Sequence, residues 1–126
     1  MRDIIVESFN GNCHVIINQN YVIHVVNNLP PKSAPLTVHC ASGDNDLGTH
    51  TLSVNQAFTW GFCESFVSQT LFFCHLWWGS KDIAFNVFTP ELSKRCDEHC
   101  YWAAKSDGIY FSGSYPPGKL EKKYDW

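Results

Sequence analysis

Apolar side chains in this chain recur at every second position, and residues that favour turns interrupt them about every ten positions. A strand sends successive side chains to opposite faces, whereas a helix would repeat near 3.6 residues. Phe58, Trp60 and Phe62 share one face of a run from Ala57 to Cys63, and Ile83, Phe85 and Val87 do the same between Asp82 and Phe88. Short alternating runs at this spacing predict an all-β fold, a small antiparallel β-sandwich with little helix.

The remaining runs fit the same scheme. Tyr21 to Leu29 alternates Ile23, Val25 and Leu29 against His24 and Asn28, and Pro30-Pro31 stops it because proline donates nothing to a ladder. Leu36, Val38 and Cys40 form the next inward row. Gly43 to Asp46 reads as a turn, and Leu47 to Val54 resumes the sheet. Thr70 to Trp78 is apolar on both phases, with Phe72, Cys74, Leu76 and Trp78 on one side and Leu71, Phe73, His75 and Trp77 on the other. Glu91 to His99 reads as a loop with room for one helical turn. Cys100, Trp102 and Ala104 then point inward, Ser106-Asp107-Gly108 turns a hairpin, and Ile109 to Ser112 returns. In the tail from Tyr115 to Trp126, Tyr124 and Trp126 are the residues able to tie the chain down.

With 126 residues and no repeat, residues 1–126 are expected to form one domain, of which residues 1–20 are an N-terminal arm, polar from Gly11 to Asn20. Charged residues make up 17% against about 25% in an average globular protein, while aromatics reach 15%, so the core must be rich in rings. Nine Lys and Arg against twelve Asp and Glu leave a net charge of −3. A nucleic-acid partner would need a basic excess, so none is expected. The longest mostly apolar run, Thr70 to Trp78, is far short of the ~20 residues of a membrane-spanning helix, so no membrane insertion is expected.

Several short signals stand in order: Asn27-x-Leu29, Leu36-x-x-His39-Cys40-x-Ser42, Asp46-Leu47-Gly48-x-His50, Phe58-x-Trp60-x-Phe62, Thr70-Leu71-Phe72-Phe73-Cys74, Phe85-Asn86-Val87-Phe88, Cys96-x-x-x-Cys100-x-Trp102, Asp107-Gly108-Ile109-Tyr110 and Tyr124-x-Trp126. Taken together, from about Val22 to Trp126, they resemble the plant self-incompatibility S-protein homologue family. The resemblance implies a secreted, non-enzymatic β-sandwich without a cofactor, acting in cell–cell recognition as a ligand for a membrane receptor. The family's four recurrent cysteines map onto Cys40, Cys74, Cys96 and Cys100, whereas Cys13 and Cys63 fall outside its pattern.

Six cysteines allow 15 connectivities. Cys40, Cys74 and Cys100 lie on the apolar phase of their strands, with Cys96 in the adjoining loop, and the expected pairing is Cys40–Cys100 and Cys74–Cys96. The two extra thiols suggest a third bridge, Cys13–Cys63, fastening the arm to the sheet. Disulfides require an oxidising compartment. Residues 1–4 carry no secretory signal, so Met1 is read as an initiator standing where a signal peptide has been removed and the mature protein as extracellular. The alternative is zinc, for which Cys96-x-x-His99-Cys100 and His39-Cys40 offer ligands. Against it, no C-x-x-C pair exists and the cysteines alternate with bulky apolar residues.

No catalytic spacing unites the six histidines with the acids. His24, His39 and His75 fall on outward phases and read as exposed surface residues, and the Ser42-Gly43 and Ser112-Gly113 pairs lack the G-x-S-x-G elbow of hydrolases. Asp44-Asn45-Asp46 offers hard oxygens, but three consecutive residues cannot wrap one calcium ion, so the segment reads as a solvated turn. Recognition is therefore expected in loops on a rigid scaffold, with Asp44, Asn45, Asp46, Glu91, Lys94, Asp97 and Glu98 as candidate partner-binding residues of a monomer. The second reading is a carbohydrate-binding module: Phe73, His75 and Trp77 would make an outward aromatic stripe, with Trp77 stacking on a sugar unless the tail or the arm covers it.

Overall fold

The computed structural model describes residues 4–6, 18–65 and 70–126. Among the described residues, ten strands and one helical turn follow in order: β1 (Ile4–Val6), β2 (Asn18–Asn27), β3 (Leu36–Ser42), β4 (Asp46–Leu52), β5 (Ala57–Ser65), β6 (Phe72–Trp78), β7 (Lys81–Phe88), α1 (Pro90–Ser93), β8 (His99–Lys105), β9 (Gly108–Ser112) and β10 (Glu121–Tyr124). They form two stacked sheets, one of six strands in the order β1-β5-β2-β8-β9-β10 and one of four in the order β4-β3-β6-β7. The expected antiparallel sandwich is present, with two parallel pairings, β1 with β5 and β2 with β8.

The alternation in sequence becomes the division between core and surface. Ile23 and Val25 of β2, Phe58, Trp60 and Phe62 of β5, and Trp102 and Ala104 of β8 are buried against Leu36, Val38, Phe72, Leu76 and Val87 of the smaller sheet. Phe62 lies 4.8 Å from both Phe72 and Phe88, and Tyr21 lies 4.8 Å from Phe88, all between ring centroids. Such tilted and edge-on packing suits rings with negative faces and positive edges. The indole N–H of Trp102 crosses between the sheets to donate to the Val87 carbonyl at 3.0 Å. Asn27, wholly buried, ends β2 by accepting from the Leu29 N–H and donating to the Leu52 carbonyl, each at 3.0 Å. A buried amide must be paired in this way, which accounts for the Asn27-x-Leu29 signal.

The disulfides correct the expected pairing. Cys40 and Cys74 face each other across β3 and β6, with Cα atoms 4.1 Å apart, and are bonded to each other. Cys100 lies in the other sheet beside Ile23 and is bonded to Cys96, four residues earlier, at a Cα separation of 5.2 Å. Phase shows that a cysteine faces the core but not from which sheet it does so. Cys40 therefore finds its cross-strand neighbour and not Cys100, and Cys74 is no longer open to Cys96. All three sulfurs of the alternative zinc set are spent in these bonds, Cys96 and Cys100 with each other and Cys40 with Cys74. Cys63 is disulfide-bonded too; the expected partner, Cys13, lies outside the described residues.

Two features of the termini were not expected. Residues 4–6, placed in the N-terminal arm, form an edge strand on β5, and the Lys/Glu run of the tail forms β10 against β9. The tail is fastened where the sequence indicated. Trp126 donates its indole N–H to the Lys105 carbonyl at 2.7 Å, and Tyr124 sets its ring 5.1 Å from Phe85.

Candidate functional site

The outer face of the four-stranded sheet is a lattice that can be read from strand register. Its first row across β4, β3, β6 and β7 is Asp46, Ala41, Phe73, Asn86; its second is Thr49, His39, His75, Ala84; and in its third Thr51, Thr37, Trp77 and Asp82 lie side by side. The expected stripe on β6 is present. Phe73 is 41% and Trp77 37% exposed, and the tail that was an expected cover lies on the other sheet. His75 covers one face of Trp77, their rings stacked at 3.9 Å and 9°.

Carboxylates pin both histidines of this face. His39 donates from Nε2 to Asp46 Oδ1 at 2.8 Å, and His75 donates from Nε2 to Asp82 Oδ2 at 2.7 Å. Asp46 Oδ1 also accepts the Gly48 N–H at 2.9 Å. That backbone donor, with the His39 bond second, holds the Asp46 carboxyl below its usual range, because hydrogen bonds to the charged form favour it. His39 and His75 are half-exposed surface residues, as expected.

The two candidate recognition segments leave the sandwich at one end. Ser42, Phe72 and Phe88 stand abreast on β3, β6 and β7. The turn after Ser42, Leu71 before Phe72, and the connection after Phe88 therefore emerge together. The Ser42 N–H donates to the Asn45 carbonyl at 2.7 Å and the Ser42 Oγ accepts the Asn45 N–H at 3.2 Å, so Asn45 closes the turn. Asp46 opens β4 and serves His39, leaving Asp44 as the outermost acid. Beyond Phe88, Thr89 caps α1 by accepting the Leu92 N–H at 3.1 Å. Glu91 and Lys94 sit 4.0 Å apart, both highly exposed. Exposed pairs of that kind contribute about 0–1 kcal/mol.

Asp97 and Glu98 are separated from this group. Their backbones are tied to the larger sheet, Asp97 N–H to the Gly113 carbonyl at 2.7 Å and the Glu98 carbonyl to the Val22 N–H at 2.9 Å. Gly113 must be glycine, because a Cβ there would fall 1.7 Å from the Arg95 carbonyl oxygen. Trp77 stands at the opposite end of β6 from Phe73. The structure thus assembles Asp44, Asn45, Asp46, Glu91 and Lys94 at one end and sets Asp97, Glu98 and Trp77 apart. Leu71 and Phe73, both outward in phase, belong to that end; Phe73 was part of the expected stripe, and Leu71 shares its phase.

The outer face of the six-stranded sheet overturns one expectation. His24 is 7% exposed, not a surface histidine, because the segment after β9 folds back and lays Tyr115 on it, ring stacked on ring at 4.4 Å. His24 Nε2 lies 2.9 Å from His99 Nδ1, and its Nδ1 lies 3.3 Å from Thr59 Oγ1. His24, Val26, Asn55, Ala57, Tyr101 and Tyr115 line a cleft of about 160 Å³ beside this cluster. Nothing in the local sequence announces a cover arriving from about ninety positions away. Among the described residues no group of three or more His, Cys, Asp or Glu is placed to hold a metal ion.

Comparison with known proteins places this scaffold. The pattern of the plant self-incompatibility protein S1 family matches residues 22–126. The chain belongs to that family. Among its similar proteins in Arabidopsis thaliana, S-protein homolog 29 is 36% identical over 108 residues, covering 83% of the chain and 76% of the relative. S-protein homolog 1 is 33% identical, covering 90% and 70%, and S-protein homolog 74 is 38% identical, covering 63% and 54%. The chain thus spans between about half and three quarters of the relatives' own lengths. No solved structure matches this member of the S1 family. The matched segment starts at Val22, in β2, so the family signature covers both sheets from there and leaves β1 outside.

Proposed function

We propose that this S1-family protein is a secreted, non-enzymatic signalling ligand, a monomer of one domain over residues 1–126, whose loops are recognised by a membrane receptor. The observation that carries the reading is the convergence of the turn at Asp44–Asp46 with the Glu91–Lys94 segment at one end of a disulfide-braced sandwich. Loops displayed by a rigid scaffold are a common site of binding. Secretion is supported by the disulfides, which persist in oxidising compartments. No described helix is long and apolar enough to cross a membrane.

The test is saturable binding of the labelled, folded chain to intact plant cells. Joint replacement of Asp44, Asn45 and Asp46 by Ala should weaken binding and leave the melting temperature near that of the parent. A triple variant that melts early yet binds normally would show that the turn is scaffold and that recognition lies elsewhere.

One observation favours the second reading, in which the chain binds a glycan. Trp77 is partly exposed, with Thr37 and Asp82 as its cross-strand neighbours. Glycan-array binding that disappears in Trp77→Ala would select it over the receptor reading.

A further inference from the structure

We infer that the partner engages the loop end through an apolar contact centred on Leu71 and Phe73 and rimmed by Asp44, Asp46 and Glu91. The surface that fits it is an apolar pocket on a protein, bordered by Lys or Arg side chains. This rests on the receptor reading and deepens it, moving the centre of recognition from the polar loops to the strand between them.

Leu71, 45% exposed, and Phe73, 41% exposed, are two residues apart on one phase, among the most exposed large apolar side chains of the described residues. Neighbouring positions shelter Phe73 only in part. Its cross-strand partners are Ala41, a small side chain buried below the surface, and Asn86, which is polar and exposed. Part of the ring therefore remains available at the surface. Phe73 also belongs to β6, which is bonded on both sides by β3 and β7 and anchored through Cys74 to Cys40. Its position is fixed before a partner arrives, which lowers the ordering cost of association.

Charge selects the partner. The turn beside Leu71 carries Asp44 and Asp46, and the segment after β7 carries Glu91. Asp46 is kept ionised by the Gly48 N–H and by His39. Of the nearby cations, Lys94 is 4.0 Å from Glu91 and Arg95 is engaged 3.2 Å from Glu121 on β10. An apolar centre beside a rim in which three acids, Asp44, Asp46 and Glu91, outnumber the one exposed Lys94 is the anatomy of an interface: the centre supplies affinity, and the acidic excess steers a partner of opposite charge.

The probe is a library of random peptides displayed on phage and panned against the full, disulfide-bonded chain. Enriched peptides should combine an aromatic or aliphatic residue with Lys or Arg, and a synthetic representative should perturb the amide signals of Leu71, Phe73 and Asp46. Phe73→Asp should cut its affinity at least about tenfold, as loss of a central anchor does. Asp44→Asn with Asp46→Asn should weaken it less and flatten its salt dependence. Leu71→Asp serves as the second variant should Phe73→Asp fail to fold. No enrichment, peptides without basic residues, or undiminished affinity in a folded Phe73→Asp or Leu71→Asp chain would overturn the inference. Cell-surface binding that survives Phe73→Asp would overturn it alone, leaving the receptor reading in place. Absence of saturable cell-surface binding by the folded parent chain would instead overturn the receptor reading.

Discussion

The two sheets treat their outer faces in opposite ways. The smaller sheet carries its brace inside, the Cys40–Cys74 bond between two of its own strands, and leaves Phe73, His75 and Trp77 open. The larger sheet folds its own chain back on itself, laying Tyr115 over His24 and sealing Val26, Ala57, Tyr101 and Ala103 into a second small cluster with Tyr110 and Leu120. One exposed histidine pair is pinned by carboxylates; the other pair, His24 and His99, is bonded ring to ring beneath a tyrosine. A face that is rigid without a cover is free to meet a partner. A covered face spends its side chains on folding, and this difference is why recognition is placed on the smaller sheet.

The largest expected effect tests the internal brace. The chain-entropy account assigns a bond closing 34 residues about 4 kcal/mol and one closing four residues about 2 kcal/mol. Cys74→Ser should therefore lower unfolding free energy by about twice as much as Cys100→Ser, measured by denaturant titration of each. Equal losses would mean that the smaller sheet owes its order to packing and not to its own covalent tie.

Next in size is the contrast between histidines. His24→Ala removes a buried ring, strands His99 Nδ1 and leaves Tyr115 without its platform, at a cost of about 2 kcal/mol. His75→Ala breaks a half-exposed pair and one ring stack, a loss of about 1 kcal/mol or less. Denaturant midpoints of the two variants decide it. Similar losses would show that the open face bears structural load and is not reserved for binding. Tyr115→Ala, with that ring more than half exposed, should cost about 1 kcal/mol and raise the binding of an apolar dye as Val26 and Tyr101 are uncovered. Unchanged dye binding would mean that the segment after β9 holds its place through its serines and Gly118 alone.

Phase in the sequence carried most of the smaller sheet. Phe72, Cys74 and Leu76 fall inside and Phe73, His75 and Trp77 outside, because a strand with both neighbours present has no freedom to turn its side chains over. What phase cannot carry is the assignment of strands to sheets, since inward rows from either sheet look alike. That is why the pairing of Cys40 and Cys100 was expected and Cys40–Cys74 is found. Nor can it carry a cover from a distant segment: His24 sits on an outward phase and is buried all the same. Of the loop end, Asp44–Asp46 and Glu91 were legible from turn composition. Their meeting around Leu71 depends on the abreast register of Ser42, Phe72 and Phe88, a tertiary fact.

The smallest effect concerns how the open face keeps its acid charged. Asp46 is held below the ordinary value of 3.8, first by the Gly48 N–H and then by His39. A carboxyl whose folded pKa is depressed adds stability that is fully present above the unfolded value and is lost as pH falls through the folded one. The Asp46 carboxyl therefore stays ionised near neutrality and gives up its contribution only in acid, so it keeps its negative charge across the range in which a receptor would meet it. Replacing His39 by Ala should raise the Asp46 pKa only part of the way to its ordinary value, followed by carboxyl carbon shifts in an NMR titration, because the backbone donor remains. A full return to the ordinary value would mean that the imidazole holds the carboxylate. The acidic rim would then depend on the His39 side chain instead of on a turn built into β4.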